Sequence, residues 1–155
     1  MSAQVLMKYW LLPIIWIAVI FAASSDLMSA EQTSRFIGPF LRWFVPDITD
    51  ATIASVQFFV RKCAHLTEYA ILALLLYRAV LHGTNLKWSR PILFASACAL
   101  SVLIAMCDEF RQSFVESRDA SPWDVMIDSA GAISGLMIYS SWTRRRALGH
   151  RKSRS

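Results

Sequence analysis

Long apolar runs, each carrying at most a few charges, dominate the chain. Four of them, roughly Val5–Ala23, Cys63–Leu81, Pro91–Cys107 and Val125–Trp142, are close to the length of about 17–25 residues with which a helix crosses the hydrocarbon of a bilayer. The third is free of charge, whereas the first holds Lys8, the second holds His65, Glu68 and Arg78, and the fourth holds Asp128. A lipid-exposed segment must satisfy its own backbone hydrogen bonds, so the pattern predicts helices throughout. The predicted fold is all-α: a polytopic membrane protein with four transmembrane helices in a small bundle over 1–143, followed by a basic cytoplasmic tail over 144–155. The first outer loop, Ser24 to about Arg61, carries Phe36, Phe40, Trp43 and Phe44 at helical spacing. That spacing predicts an interfacial helix, broken up by Gly38, Pro39 and Pro46, whose plainest role is that of an aromatic anchor.

Composition points the same way. Of 155 residues 55% are hydrophobic and 17% charged, against about 45–50% and about 25% in soluble domains. A domain of this size leaves roughly 30% of its unfolded surface exposed, too much to hide such an excess from water. The net charge of +5 is sorted by side. Lys8, Arg78, Lys87, Arg90, Arg144, Arg145, Arg146, Arg151, Lys152 and Arg154 fall together with no acid among them, and all eleven acids fall on the other side with six basic residues. The basic side is therefore expected to be cytoplasmic, with both termini there, in a multi-pass protein of the plasma (inner) membrane. A nucleic-acid partner would not require this sorting, and the basic tail reads as a stop signal lying against anionic headgroups. Lys8 followed by an apolar run ending in Phe21-Ala22-Ala23-Ser24 also has the outline of a signal peptide, with an imperfect cleavage site. Three cysteines, Cys63, Cys98 and Cys107, are too few for a disulfide framework and are expected to pack as small apolar residues between helices.

Two outer-face constellations carry the candidate chemistry. At the start of the second span Lys62, His65 and Tyr69 share a helical face, with Glu68 beside them. Ionisable groups inside a span are costly, which makes them functional candidates; the plain alternative is that Lys62 snorkels and His65 pairs with Glu68 across the bundle. Where the third span emerges, Asp108, Glu109 and Gln112 form a polar face, followed by Phe114, Glu116, Arg118 and Asp119 in the loop. Ser121-Pro122-Trp123-Asp124 then reads as a helix start with Ser121 as N-cap. Asp124, Asp128, Gly131 and Gly135 share one face of the fourth helix, and the Gly131-to-Gly135 spacing allows close helix approach. The two constellations are expected to meet, with His65 near Asp108, Glu109 or Gln112.

Taken together, Lys62-x-x-His65-x-x-Glu68-Tyr69, Asp108-Glu109-x-x-Gln112-x-Phe114, Arg118 and Asp124-x-x-x-Asp128-x-x-Gly131 closely resemble the motifs of VanZ-like integral membrane proteins, over about residues 60–135. The family commonly has Asn where this sequence has Asp128, a change that keeps acceptor oxygens and adds a possible charge. The resemblance implies a connection to low-level resistance to teicoplanin, a lipid-tailed glycopeptide that acts on the outer face. It implies no established reaction.

Two classes of function stay open. In one, the outer polar pocket, comprising Lys62, His65, Glu68, Tyr69, Asp108, Glu109, Gln112, Arg118, Asp124 and Asp128, binds a membrane lipid, a lipid-linked envelope precursor or a lipoglycopeptide and contributes to antibiotic tolerance. In the other, a small membrane enzyme uses His65 with Glu68 or Glu109 as acid and base. Acids and an imidazole near one interface are also compatible with a divalent cation, although no paired-histidine metal motif, phosphate loop or nucleophile elbow is present. The expectation is therefore a site with neither metal nor cofactor, and binding is the stronger reading. The oligomeric state is not legible.

Overall fold

The computed structural model describes residues 3–25, 30–115 and 121–152. Within them the chain forms five helices: α1 (Ala3–Ala23), α2 (Ala30–Phe44), α3 (Asp50–Gly83), α4 (Arg90–Gln112) and α5 (Pro122–Lys152). Local chemistry sets several of the starts. Thr49 caps α3 by accepting the Thr52 amide on its hydroxyl, and Pro91 sits in the first turn of α4 behind Ser89. α5 begins at Pro122, where the Ser121 hydroxyl accepts the Trp123 amide at 3.3 Å, as the Ser-Pro-Trp-Asp stretch predicts.

Two expectations from the apolar pattern change. The aromatic helix is continuous from Ala30 to Phe44 and runs through Gly38 and Pro39; within it these residues lower helix propensity without ending the helix. α3 starts at Asp50, thirteen residues before the apolar run, because Thr49 and Asp50 supply a strong N-terminal cap. α5 itself continues to Lys152, into the basic tail. Two helices, α3 and α4, are long and apolar enough to cross a membrane. α1 is apolar over the shorter stretch Met7–Ala23, and α5 is diluted by Asp128, Ser129, Gly131, Ser134 and Gly135.

α3 is the hub, packed against each of the other four helices. α1 runs antiparallel to it: the Trp10 indole donates to the Gly83 carbonyl at 3.4 Å and the Trp16 indole to the Glu68 carbonyl at 2.9 Å. α5 runs parallel to it, as Lys62 with Asp124, His65 with Asp128, Leu66 with Gly131, Ala70 with Gly135 and Tyr77 with Tyr139 step along both helices in one direction. In an up-and-down order parallel helices lie on a diagonal, and here small residues bring that diagonal into contact. The core is built from Ile20, Tyr69, Leu72, Ala73, Leu76, Ala97, Ala105, Ala132 and Leu136.

The outer surface is as apolar as the core. Leu11, Ile14, Ile92, Leu103, Phe110, Ile133 and Ile138 all face outward. Only 33% and 28% of the most apolar windows of α3 and α4 are buried within the protein, whereas the core helix of a soluble domain hides most of its apolar face. An apolar exterior of this extent matches lipid rather than water.

The cysteines are free. Cys98 packs against the core, but Cys63 and Cys107 are exposed on the outer surface instead of lying between helices; a small apolar thiol tolerates lipid as readily as a core.

A side chain at Gly131 would overlap the Leu66 carbonyl, and one at Gly135 would sit 2.9 Å from Ala70. Gly131→Ala is expected to cost about 1–3 kcal/mol, the range for overpacking, and Gly131→Leu to lower the amount of protein in the membrane. Gly38→Ala, with open space around it, is expected to be neutral or stabilising by up to about 1 kcal/mol. Unfolding in mixed micelles measures all three.

Candidate functional site

The direction of each helix gathers the acids at one end of the bundle. The end of α1, the first part of α3, the end of α4 and the start of α5 meet there. The opposite end carries Lys8, Arg78, Lys87, Arg90 and Arg144.

The site has two halves. On the α3–α5 side, the Lys62 ammonium pairs with Asp124, and His65 Nδ1 lies 3.3 Å from Asp128 Oδ1. Lys62 and His65 are three apart on α3, and Asp124 and Asp128 four apart on α5, so each pair falls on facing stripes. On the α1–α4 side, Asp108 is 1% exposed and collects three donors. Ser24 donates to its Oδ1 at 2.6 Å, Arg111 to the same oxygen at 3.0 Å and Gln112 to its Oδ2 at 2.9 Å. The Arg111 guanidinium also donates to the Ser24 hydroxyl at 2.7 Å and to the Phe21 carbonyl at 3.2 Å, tying the end of α1 to α4. Glu109, also buried, accepts the Ser121 amide and so anchors the start of α5 to α4.

Tyr69 stands between these halves. Its side chain is fully buried, and its hydroxyl has no hydrogen-bond partner among the described residues. Beside it, His65 Nδ1 and Asp128 Oδ1 face each other as an ion pair that makes no hydrogen bond. A buried polar atom without a partner costs about 1–3 kcal/mol, and the Tyr69 hydroxyl is one such atom. Glu68 is half-buried next to them, its carbonyl taken by Trp16.

The sequence-predicted residues are thus brought together, with two changes of partner. His65 meets Asp128 of α5, while Asp108, Glu109 and Gln112 serve α1, α4 and the start of α5. His65 therefore has neither Glu68 nor Glu109 as its ion-pair partner. Arg118 lies outside the described residues. Gly131 and Gly135 lie against the α3 backbone just below the charged pairs. Two contributors escape the sequence reading. Arg111 is signalled only by its three-residue spacing from Asp108, and Ser24 by nothing beyond its place at the end of the first apolar run.

Among the described residues, no three of His, Cys, Asp and Glu gather closely enough to hold a metal ion. The acids are spread over pairs with Lys62, His65 and Arg111 instead of converging on a point. Two cavities, of about 590 and 330 Å³, open at the other, basic end of the bundle.

A sequence model of the VanZ/LLP1 family matches residues 9–143, which takes in α3 and α4 whole, most of α1 and α5, and both halves of the site. The chain therefore belongs to the VanZ/LLP1 family. It matches no curated protein and no solved structure. Asp128, where the resemblance leads to an expectation of Asn, faces His65: a carboxylate forms an ion pair with a protonated imidazole, and an amide does not.

The Asp108 cluster is expected to behave as a unit. Ser24→Ala should cost about 1 kcal/mol, the scale of an interhelical hydrogen bond within a bilayer. Asp108→Asn should cost about 2 kcal/mol, because it leaves Arg111 without its carboxylate. Since Ser24 and Arg111 share Asp108, the double variant should cost less than the two separately. Strict additivity in reversible unfolding would show that the cluster does not act as one network.

Proposed function

We propose that the protein spans the plasma membrane four times, by α1, α3, α4 and α5, with both termini in the cytoplasm and α2 lying in the outer interface. Its acidic end then binds the polar headgroup of a lipid-linked or lipid-tailed ligand at the outer face. The observation that carries the binding reading is the fully buried Tyr69 hydroxyl, which meets no hydrogen-bond partner among the described residues, beside the His65–Asp128 ion pair, which makes no hydrogen bond. Such groups are retained at a cost unless a ligand completes them.

The topology is supported by the charge partition, since Arg78, Lys87, Arg90 and Arg144 fall at one end and the acids at the other. The placement of α2 is supported by Phe36, Phe40, Trp43 and Phe44, all exposed on a helix whose Arg42 reaches Asp50 at the start of α3. Ligand entry from the outer leaflet accounts for the position of the site. A headgroup offering hydroxyls, amides or an amine has the chemistry to meet a phenol, an imidazole and carboxylates. A lipoglycopeptide of the teicoplanin type and an envelope precursor both fit, and sequestering either one contributes to antibiotic tolerance. A second reading, acid–base catalysis on such a lipid, draws on the orientation of His65 by Asp128.

Topology is checked with impermeant thiol reagents on single cysteines at Ser29, Thr84, Ala120 and Ser153, in a background where Cys63, Cys98 and Cys107 are replaced. Ser29 and Ala120 should label from outside, and Thr84 and Ser153 should not.

Function is checked with size-matched variants. His65→Gln, Glu109→Gln and Arg118→Lys should accumulate normally in the membrane yet lose glycopeptide tolerance, with Tyr69→Phe, which removes only the unpartnered hydroxyl, doing the same. Full tolerance in all four at normal abundance would remove the site from the function. Product formation from a lipid-linked substrate, abolished by His65→Gln, would favour the enzyme reading.

A further inference from the structure

The basic end of the bundle has cations with no internal counterion. No Asp or Glu occurs in residues 1–25, 78–107 or 129–155, the segments that build that end. Among the described residues, the ion pairs lie at the acidic end or between α2 and α3, and none includes Arg78, Arg90 or Arg144. Among the described residues no acid faces these arginines, and an anion from outside the bundle would meet them unopposed.

A cavity of about 590 Å³ is built at this place, within the range of about 300–1,000 Å³ typical of small-ligand sites. Its rim carries Arg90, Ser140, Thr143 and Arg144, and its wall is made by Leu81, Phe94 and Leu136. A second cavity of about 330 Å³ adjoins it through Tyr77, Leu81 and Tyr139 and continues along Leu74 and Leu75. Charge and hydroxyl donors at the mouth, with apolar surface leading into the bundle, form the complement of an amphiphile: anionic at one end and hydrocarbon at the other. Two guanidinium groups from different helices, α4 and α5, suit the oxygens of a phosphate. A zwitterionic headgroup would bring an ammonium into a region that already holds uncompensated positive charge.

We infer that this cavity binds the phosphate of an anionic glycerophospholipid in the leaflet at the basic end, with Arg90 and Arg144 on the phosphate and an acyl chain along Leu81, Phe94 and Leu136. The site is separate from the acidic end and does not depend on the reading given to it. A bound lipid cross-links the start of α4 to the last turns of the apolar part of α5, two elements that no ion pair joins there.

The test is native mass spectrometry of the full chain in detergent, titrated with phosphatidylglycerol or with phosphatidylcholine of the same acyl chains. Phosphatidylglycerol should bind at least tenfold more tightly. Each arginine removed should weaken it about fivefold, the factor for roughly 1 kcal/mol per basic residue near a charged lipid surface, so Arg90→Gln with Arg144→Gln should abolish the preference. Lys87→Gln, a basic residue at the same end outside the cavity, should leave it unchanged. Both arginines are exposed, and Ser140→Leu, which fills the cavity and keeps both charges, gives an independent loss of binding should the double variant fail to accumulate. Equal binding of the two lipids would overturn the proposal. So would an equal loss in Lys87→Gln, which would reduce the effect to diffuse charge, or displacement by equimolar glycerol 3-phosphate, which would make the ligand a soluble phosphate.

Discussion

The close approach of α5 to α3 is the constraint on which the rest of the structure depends. Gly131 and Gly135 let the two backbones touch at Leu66 and Ala70, which in turn puts two parallel helices of an up-and-down order into direct contact. With lipid outside as apolar as the core inside, hydrophobic burial does not favour one helix pairing over another, and van der Waals contact between small residues takes over that role. The other helices fill the space left around this pair: α1 by indole hydrogen bonds to the middle and the end of α3, and α4 against both partners.

The same contact fixes the charged groups. With Leu66 against Gly131, the residues toward the start of both helices face one another as well, His65 against Asp128 and Lys62 against Asp124. Removing charges from water is costly, and opposed pairs on neighbouring helices offset much of it. Asp108 solves the same problem by another route, collecting Ser24, Arg111 and Gln112 and thereby joining α1 to α4. The two solutions differ in completeness. The Asp108 carboxylate has donors on both oxygens, whereas the His65–Asp128 pair makes no hydrogen bond and the Tyr69 hydroxyl meets no partner among the described residues.

The protein is also electrostatically divided from end to end. At one end Asp108, Asp124 and Asp128 face Arg111, Lys62 and His65, and the arginines at the other have no acid near them in the chain. Open volume is found beside Arg90 and Arg144. Membership of the VanZ/LLP1 family covers both ends.

Helical class, the family motifs and the sorting of charge were all legible in the sequence, because length, apolarity and local spacing are properties of neighbouring residues. The spacing of Lys62, His65 and Tyr69 placed them on one face, and the Ser121-Pro122 step marked the start of α5 to the residue. What the sequence left open was which face met which. That Asp128 takes His65, that Arg111 and Ser24 belong to the Asp108 cluster, and that Cys63 and Cys107 point outward follow from the rotation and direction of whole helices. Helix extent was also obscured: the cap at Thr49 carried α3 well beyond its apolar run, and α2 continued through Gly38 and Pro39. A helix's surroundings depend on which side it turns toward its neighbours, and in a chain apolar on every side only the positions of the small residues, acting through three-dimensional contact, decide that.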